Sequence, residues 1–585
     1  MTPELPPFLI LVAGALVAPL VRGRLQSAFL LALPALSLVN LLGLQTGSEW
    51  TIGVAGLDLC IYRIDRLNLL FGYLFHLGAV VAILYSLHVK DDLQHASGLI
   101  YAGSGMGAIF AGDLLTLFLF WELLAVSSVF LIWARRTDRA YRAGLRYLVI
   151  QVASGVTLLA GVVLRFDPQS PSDSLALDQF LTAGMHPHAV VDDLGGALIL
   201  GAVGLKCAFP LLHNWIPDAY PEATPTGTLW MSSFTTKVAV YALARLFPGC
   251  ELLAVGEGVK ALIYVGAVMT MFPIFYAVIE NDLRRVLGYS MINQIGFMVV
   301  GVGLGSELAI NGAVAHAFND VFFKGLLFMS MGAILHRTGE IRASELGALY
   351  KSMPATTVFC LIGAASISAF PLFSGFVSKT MVMAAALDEG HPWLWLVLLF
   401  ASAGVLHHAG IKIPYWGFFA HDHGLRCKEA PLNMLIAMGL ASVLCVAAGC
   451  FPHQTLYTLL PYEAHYDPYT VSHVVSQLQL VLFAVLAFAW MELRGLEAPE
   501  LRSTNLDFDW VYRRVAAVPL LLAGRITAGL IEVAREGVFD ASRYYARHLD
   551  AHYGPRGLLG EPWHTGASAF WTAALLGVYL LFSYW

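Results

Sequence analysis

Stretches of about 20 mostly apolar residues, each long enough to cross a hydrocarbon core as a helix, recur along the whole chain. That recurrence limits the fold more than any other feature. Roughly sixteen such runs can be read, at 5–22, 27–45, 65–88, 97–112, 113–134, 141–164, 194–213, 226–247, 257–279, 286–305, 308–335, 354–386, 392–418, 431–451, 474–493 and 567–584. Of the 585 residues, 58% are hydrophobic and only 13% are charged. Soluble domains carry about 25% charged residues. The expectation is an all-α polytopic membrane protein. The runs are continuous and lack period-two alternation, so strands are not expected.

Several function classes fall away. The net charge is -6 and no basic domain or tail exists, so nucleic acid is not an expected partner. The 7 cysteines include no Cys-x-x-Cys pair, which argues against iron–sulfur clusters, structural zinc and a disulfide framework. Gly301-Val302-Gly303-Leu304-Gly305 lies in a span without the strand–turn–helix setting of a nucleotide loop, and close helix packing explains it. With no phosphate loop, ATP hydrolysis is not expected. The first residues lack the basic start of a secretory signal, so the first run reads as a retained span.

The loops supply an orientation. Those after odd-numbered runs hold Arg22, Arg24, Lys90, the Arg135–Arg146 group, Arg284, Arg285, Arg337, Arg342, Lys351, Arg426, Lys428, Arg494 and Arg502. Those after even-numbered runs hold little beyond Arg63, Arg66, Arg165 and Lys260. The positive-inside rule puts the basic loops in the cytoplasm and the N-terminus outside. Residues 165–193 and 452–473 then form polar outer loops. Residues 507–552 mix Leu, Ile and Val with Arg513, Arg514, Arg525, Arg535, Arg543 and Arg547. The segment is too charged to span and reads as an amphipathic helix along the cytoplasmic surface. A last span follows it.

Ionisable residues stand inside the runs, where an unpartnered charge costs several kcal/mol. Lys206 precedes Phe209-Pro210-Leu211, and Lys379 follows Phe370-Pro371-Leu372. Proline-interrupted spans mark internal pathways in transporters. Glu122, in Phe120-Trp121-Glu122-Leu123-Leu124, is a candidate partner for Lys206. Each would control the other's proton affinity. Lys237 sits near the middle of span eight among Ser232, Ser233, Thr235 and Thr236, whose hydroxyls can support a file of water. His316, Asp320 and Lys324 are spaced four apart, on one helix face. Three titratable groups on one apolar helix suit a proton relay better than packing. Lys412 lies near a cytoplasmic end, where snorkelling accounts for it. His421-Asp422-His423 reads as a solvated loop rather than a metal site, for want of a second ligand group.

Together these segments resemble the antiporter-like membrane subunits shared by respiratory complex I and the Mrp-type multisubunit cation/proton antiporters. The matching stretches are Trp121-Glu122-Leu123, Leu205 to Pro225, Asn281 to Met298, Phe322 to Leu327 and Phe370 to Lys379. Their wording is most similar to the D-type Mrp subunit. The resemblance implies inverted five-helix repeats, 97–247 against 248–420, with spans seven and twelve broken. Residues 1–96 would be N-terminal spans, 421–506 C-terminal spans, 507–552 a lateral helix bracing neighbouring subunits and 553–585 an anchor. It implies that Glu122 and Lys206 form a switching pair, Lys237 a central lysine, His316 to Lys324 a connecting relay and Lys379 the terminal proton group. Many relatives have a histidine where this chain has Asp320, which would add negative charge beside Lys324. Lys379 stands where one complex I branch has glutamate.

The expected function is proton translocation within a larger assembly in a bacterial inner membrane. Expected partners are other integral membrane subunits, protons, sodium or potassium ions, and lipids. No bound cofactor or metal is expected. A cation gradient or a redox partner would supply the energy. The alternatives are a subunit of a redox-driven complex, an independent solute permease and a charge-frozen structural scaffold.

Overall fold

Side-chain caps start most of the long helices. Asp65 accepts from the backbone of Asn68 in a capping box at the head of Arg66–Ser86. Asp113 caps Leu114–Trp133, Thr137 caps Asp138–Arg165, Asp282 caps Leu283–Leu304 and Ser306 caps Glu307–Thr338. Each cap satisfies N–H groups that a helix start leaves without a partner. Gly305 and Gly339, at φ 85° and 74°, end the last two helices.

A computed structural model describes residues 5–177, 180, 193–250, 260–496, 500–502, 505–555, 557, 559–560 and 563–584. Much of the expected outer loop at 165–193 lies outside these. The sixteen runs all fall on helices, three of them interrupted. Among the described residues, 12 helices are long and apolar enough to cross a membrane, and Pro7–Leu20, Leu194–Lys206 and Pro354–Ile367 are shorter apolar helices. Length and composition thus count fewer crossings than sixteen, in part because broken spans register as short pieces. The helix at Val511–Tyr553 is among the 12, so part of the segment expected to be too charged to span is apolar enough to do so.

Residues Met1–Asn505 form one unit and Leu506–Trp585 another. In the first, Leu283–Leu304 and Glu307–Thr338 are almost wholly buried and form its centre. Glycines let the helices around them approach. A Cβ on Gly266 would come within 2.9 Å of the Gly296 carbonyl, and one on Gly296 equally close to the Gly266 carbonyl. Gly301 and Gly303 pack against Ala309 and Ile263, as close packing requires. Peripheral helices such as Arg24–Gly43 and Val471–Arg494 expose apolar faces that suit lipid. The second unit holds a 37-residue helix, Ala517–Tyr553, and a 19-residue helix, Thr565–Ser583, neither with a buried residue among those described.

One expectation fails. Strands Glu49–Val54 and Leu57–Arg63 pair as an antiparallel hairpin. Ala55 and Gly56 connect them with φ of 52° and 83°, the positive values that a tight two-residue hairpin turn demands. The segment lies between apolar runs, so the absence of alternation within the runs did not bear on it.

Candidate functional site

Helix breaks build the site. After Leu194–Lys206, Ala208 and Leu211 take φ of 58° and 72°; after Pro354–Ile367, Ala369 and Leu372 take 56° and 75°. The hydrogen bonds repeat as well. Phe209 N–H reaches the Gly204 carbonyl at 2.9 Å, and Phe370 N–H reaches Ala365 at 3.0 Å, in each case the six-to-one bond of a Schellman end. Proline then prevents the helix from resuming at once. A third interruption, which has no proline, falls at Phe234 (φ -115°, ψ -65°), between Pro225–Ser233 and Thr235–Leu246.

Buried lysines answer these interruptions. Lys379 Nζ donates to the Ile367 carbonyl at 2.7 Å, at the end of the broken helix. Lys237 Nζ donates to the Ser232 carbonyl at 3.1 Å and the Thr236 hydroxyl at 3.4 Å. Carbonyls freed at a helix end need a donor, and an ammonium carries three. The two Phe-Pro-Leu breaks match, but the lysines do not occupy matching positions, since Lys206 ends the helix before its break and Lys379 lies on Ser374–Asp388 after its own.

Lys237 Nζ also donates to Asp320 Oδ2 at 2.5 Å, with both side chains fully buried. Asp320, expected beside Lys324, is thus the partner of the central lysine. Its other oxygen, Oδ1, has no hydrogen-bond partner among the described residues. Lys324 donates to the Ser290 hydroxyl at 2.7 Å. His316 meets Ser378 Oγ at 2.9 Å through Nδ1 and Gln294 Oε1 at 3.2 Å through Nε2. Lys379 Nζ stands 5.1 Å from the Phe297 ring centre. The charge of Asp320 acts on both Lys324 and Lys379. Asp320 is thus bonded to one lysine and within electrostatic reach of two more.

Lys206 and Glu122 are neighbours without a direct bond. Lys206 donates to the Trp121 carbonyl at 2.7 Å, with Nζ 4.3 Å from the Trp121 ring centre, a cation–π contact. Ser154 fixes that tryptophan, accepting its indole N–H at 3.0 Å and donating to the Ala202 carbonyl at 2.7 Å. Glu122 lies against Gly155, where a Cβ would overlap its Oε1, and that oxygen has no hydrogen-bond partner among the described residues. The two charges still act on each other.

The expectation for Lys412 is overturned. Its ammonium is buried rather than snorkelling, bonded to Glu500 at 2.7 Å and to the Val278 carbonyl at 2.6 Å. A carboxylate 88 residues away in sequence leaves no local signal. Ser290 and Gln294 could have been noticed, since their spacing of four puts them on one face of a helix. In the 421–423 loop, Asp422 pairs with Arg426 at 2.7 Å.

The arginines of several basic loops meet around a cavity of about 530 Å³. Arg135, Arg139, Arg285, Arg342 and Arg502 line it, interleaved with carboxylates such as Glu222 and Glu340. Hydrogen bonds from Arg342 hold the Glu340 carboxyl down at about 2. A folded value below the unfolded one adds stability that is present above the ordinary carboxylate range and is lost as pH falls through about 2. This connection stays locked at physiological pH.

The fold and this interior define a polytopic helical membrane protein with ionisable side chains buried in its core. Residues 111–404 match the family described as NADH:quinone oxidoreductase/Mrp antiporter, TM, and the chain belongs to that family. It is 29% identical over 431 residues to hydrogenase-4 component B of Escherichia coli K12, covering 66% of this chain and 61% of that protein. It is 28% identical over 444 residues to the A-type subunit of a Na(+)/H(+) antiporter from Alkalihalophilus pseudofirmus, covering 69% and 54%. The alignments thus span between half and two thirds of these relatives. Neither relative bears the D-type designation that the wording of the sequence most resembles. The membrane-bound sulfane sulfur reductase, an archaeal respiratory membrane complex, contains a chain that shares the fold at a TM-score of 0.73 and 22% identity, over 99% of this chain and 100% of that one.

Proposed function

We propose that this chain is the proton-translocating subunit of a multisubunit monovalent cation/proton antiporter of the Mrp type. Glu122, Lys206, Lys237, His316, Asp320, Lys324 and Lys379 carry the relay at mid-membrane. The observation that supports it most is the fully buried Lys237–Asp320 ion pair, with Lys324 and Lys379 in the field of the same carboxylate. One counter-ion among three lysines favours one protonated lysine at a time, because an opposite charge stabilises the ammonium and a like charge opposes it. Protonation at one end therefore promotes release at the other. His316 gains and loses a proton at Nδ1 on the Ser378 side, while the Gln294 amide oxygen accepts the Nε2–H and holds the ring in place. Glu122 governs entry, since its approach to Lys206 favours the ammonium and its withdrawal favours the free amine.

The chain lies in a bacterial inner membrane with its N-terminus outside and works beside other integral membrane subunits. Sodium or potassium is the exchanged ion, and lipid covers the outer apolar faces. No cofactor is assigned to this chain. A second reading places it in a redox-driven respiratory complex, supported by likeness to the sulfane sulfur reductase chain over 99% of the length. Membrane vesicles containing the assembled complex test both. A sodium or potassium pulse drives proton movement in the first reading, and only an electron donor does so in the second. Lys206→Ala or Glu122→Ala abolishes that movement in either, and undiminished flux rejects the relay.

A further inference from the structure

His408 has no task in this relay, yet its surroundings are unusual for a packing residue. It is fully buried, and neither ring nitrogen makes a hydrogen bond among the described residues, although the Gly404 carbonyl lies nearby one turn back. Even with that carbonyl in reach of one nitrogen, the other is left unsatisfied, which is costly, and buried water is the ordinary remedy where a site is polar. The turn that carries the ring, Leu406–Ile411, is π-helical. Such turns are rare and gather at functional sites.

Polar groups converge on this turn from three directions. Lys324 and Lys379 both act electrostatically on the ring, as does His407. Ser368 immediately follows Ile367, whose carbonyl Lys379 holds. Its hydroxyl is buried and unpartnered among the described residues, and it occupies the space a Cβ on Gly410 would need. Gln477 fixes Ser368 from another helix, donating to its carbonyl at 3.1 Å. Four residues after His408, Lys412 meets Glu500 at 2.7 Å. The turn therefore borders, through Gly410, the Ser368 hydroxyl next to the carbonyl that Lys379 holds, and its histidine precedes a buried ion pair by four residues.

We propose that His408 is a further proton-transfer residue, joining Lys324 and Lys379 to the Lys412–Glu500 pair through water anchored by the Ser368 hydroxyl. The proposal rests on the relay described above and adds a branch to it. The neutral ring takes a proton on one nitrogen from water on the Glu500 side and gives up the proton of its other nitrogen to water on the lysine side. It is left neutral, as the opposite tautomer. Rotation of the ring restores the first arrangement.

The test uses membrane vesicles holding the full chain in its native assembly, with proton flux followed by a pH-sensitive dye and assembled chain quantified on native gels. His408→Gln keeps a polar side chain but cannot be protonated. It is expected to lower flux by at least about tenfold and to raise the ratio of flux in H2O to flux in D2O, which a packing role would leave unmoved. Ser368→Ala, which leaves the ring intact, is expected to lower flux severalfold. Wild-type flux in His408→Gln overturns the proposal. Should that variant not assemble, Ser368→Ala decides, since wild-type flux there overturns the proposal and reduced flux with a raised isotope ratio supports it. Lys206→Ala in the same vesicles separates the two readings. Loss of flux in that variant alone removes only the His408 branch, whereas wild-type flux in it removes the parent function.

Discussion

Asp320 and Lys237 are held by each other more than by anything around them. Both are fully buried and 2.5 Å apart. Removing one partner strands the other's charge, which costs about 3–5 kcal/mol. Lys237→Met and Asp320→Leu should each lower the unfolding midpoint of the purified assembly, and the double variant should recover only part of the loss, because Lys324 and Lys379 lose the same carboxylate, and should not recover flux. Additive losses in the double variant would show that the two side chains do not depend on each other. Gly155 is subtler. A methyl there collides with Glu122 Oε1, the free end of a flexible side chain, so the collision is relieved by moving the carboxylate. Gly155→Ala should change stability by less than about 1 kcal/mol while reducing proton flux. Unaltered flux would mean that the carboxylate's position does not matter.

At the scale of elements, the breaks at 207–212 and 368–373 use non-glycine residues in the left-handed region, at about 1–2 kcal/mol each. Ala369→Gly relieves that strain and also loosens the unfolded chain. The net expectation is a stabilisation of up to about 1 kcal/mol, whereas Ala369→Val destabilises. Both are read from unfolding midpoints. These two breaks were legible because proline announces them, and the helices were legible from their apolar runs. The kink at Phe234 was not, since no proline or glycine marks it; the bond from Lys237 to the Ser232 carbonyl closes across it. Glu122, Lys206 and the 316–324 trio were legible because charge in an apolar run is conspicuous. Their partners were not. Asp320 pairing with Lys237 and Glu500 with Lys412 are choices of tertiary packing, and His408 stood out only once its ring was found without bonds. The hairpin at 49–63 was missed because its two short strands lie between the apolar runs rather than within them.

At the scale of the whole molecule, Leu506–Trp585 is a unit apart from Met1–Asn505, and its 37-residue helix buries none of its side chains. A chain ending at Asn505 should co-purify with fewer partner subunits, if the long helix braces them. Undiminished co-purification would remove that role. In the first unit, the proposed relay has ionisable side chains exchanging protons through one shared carboxylate. It is tested most directly by proton flux in vesicles holding the assembled Lys237→Gln variant, which keeps a hydrogen-bonding side chain but cannot be charged. Flux is expected to fall by at least about a hundredfold with the assembly intact. Wild-type flux in that variant would contradict it.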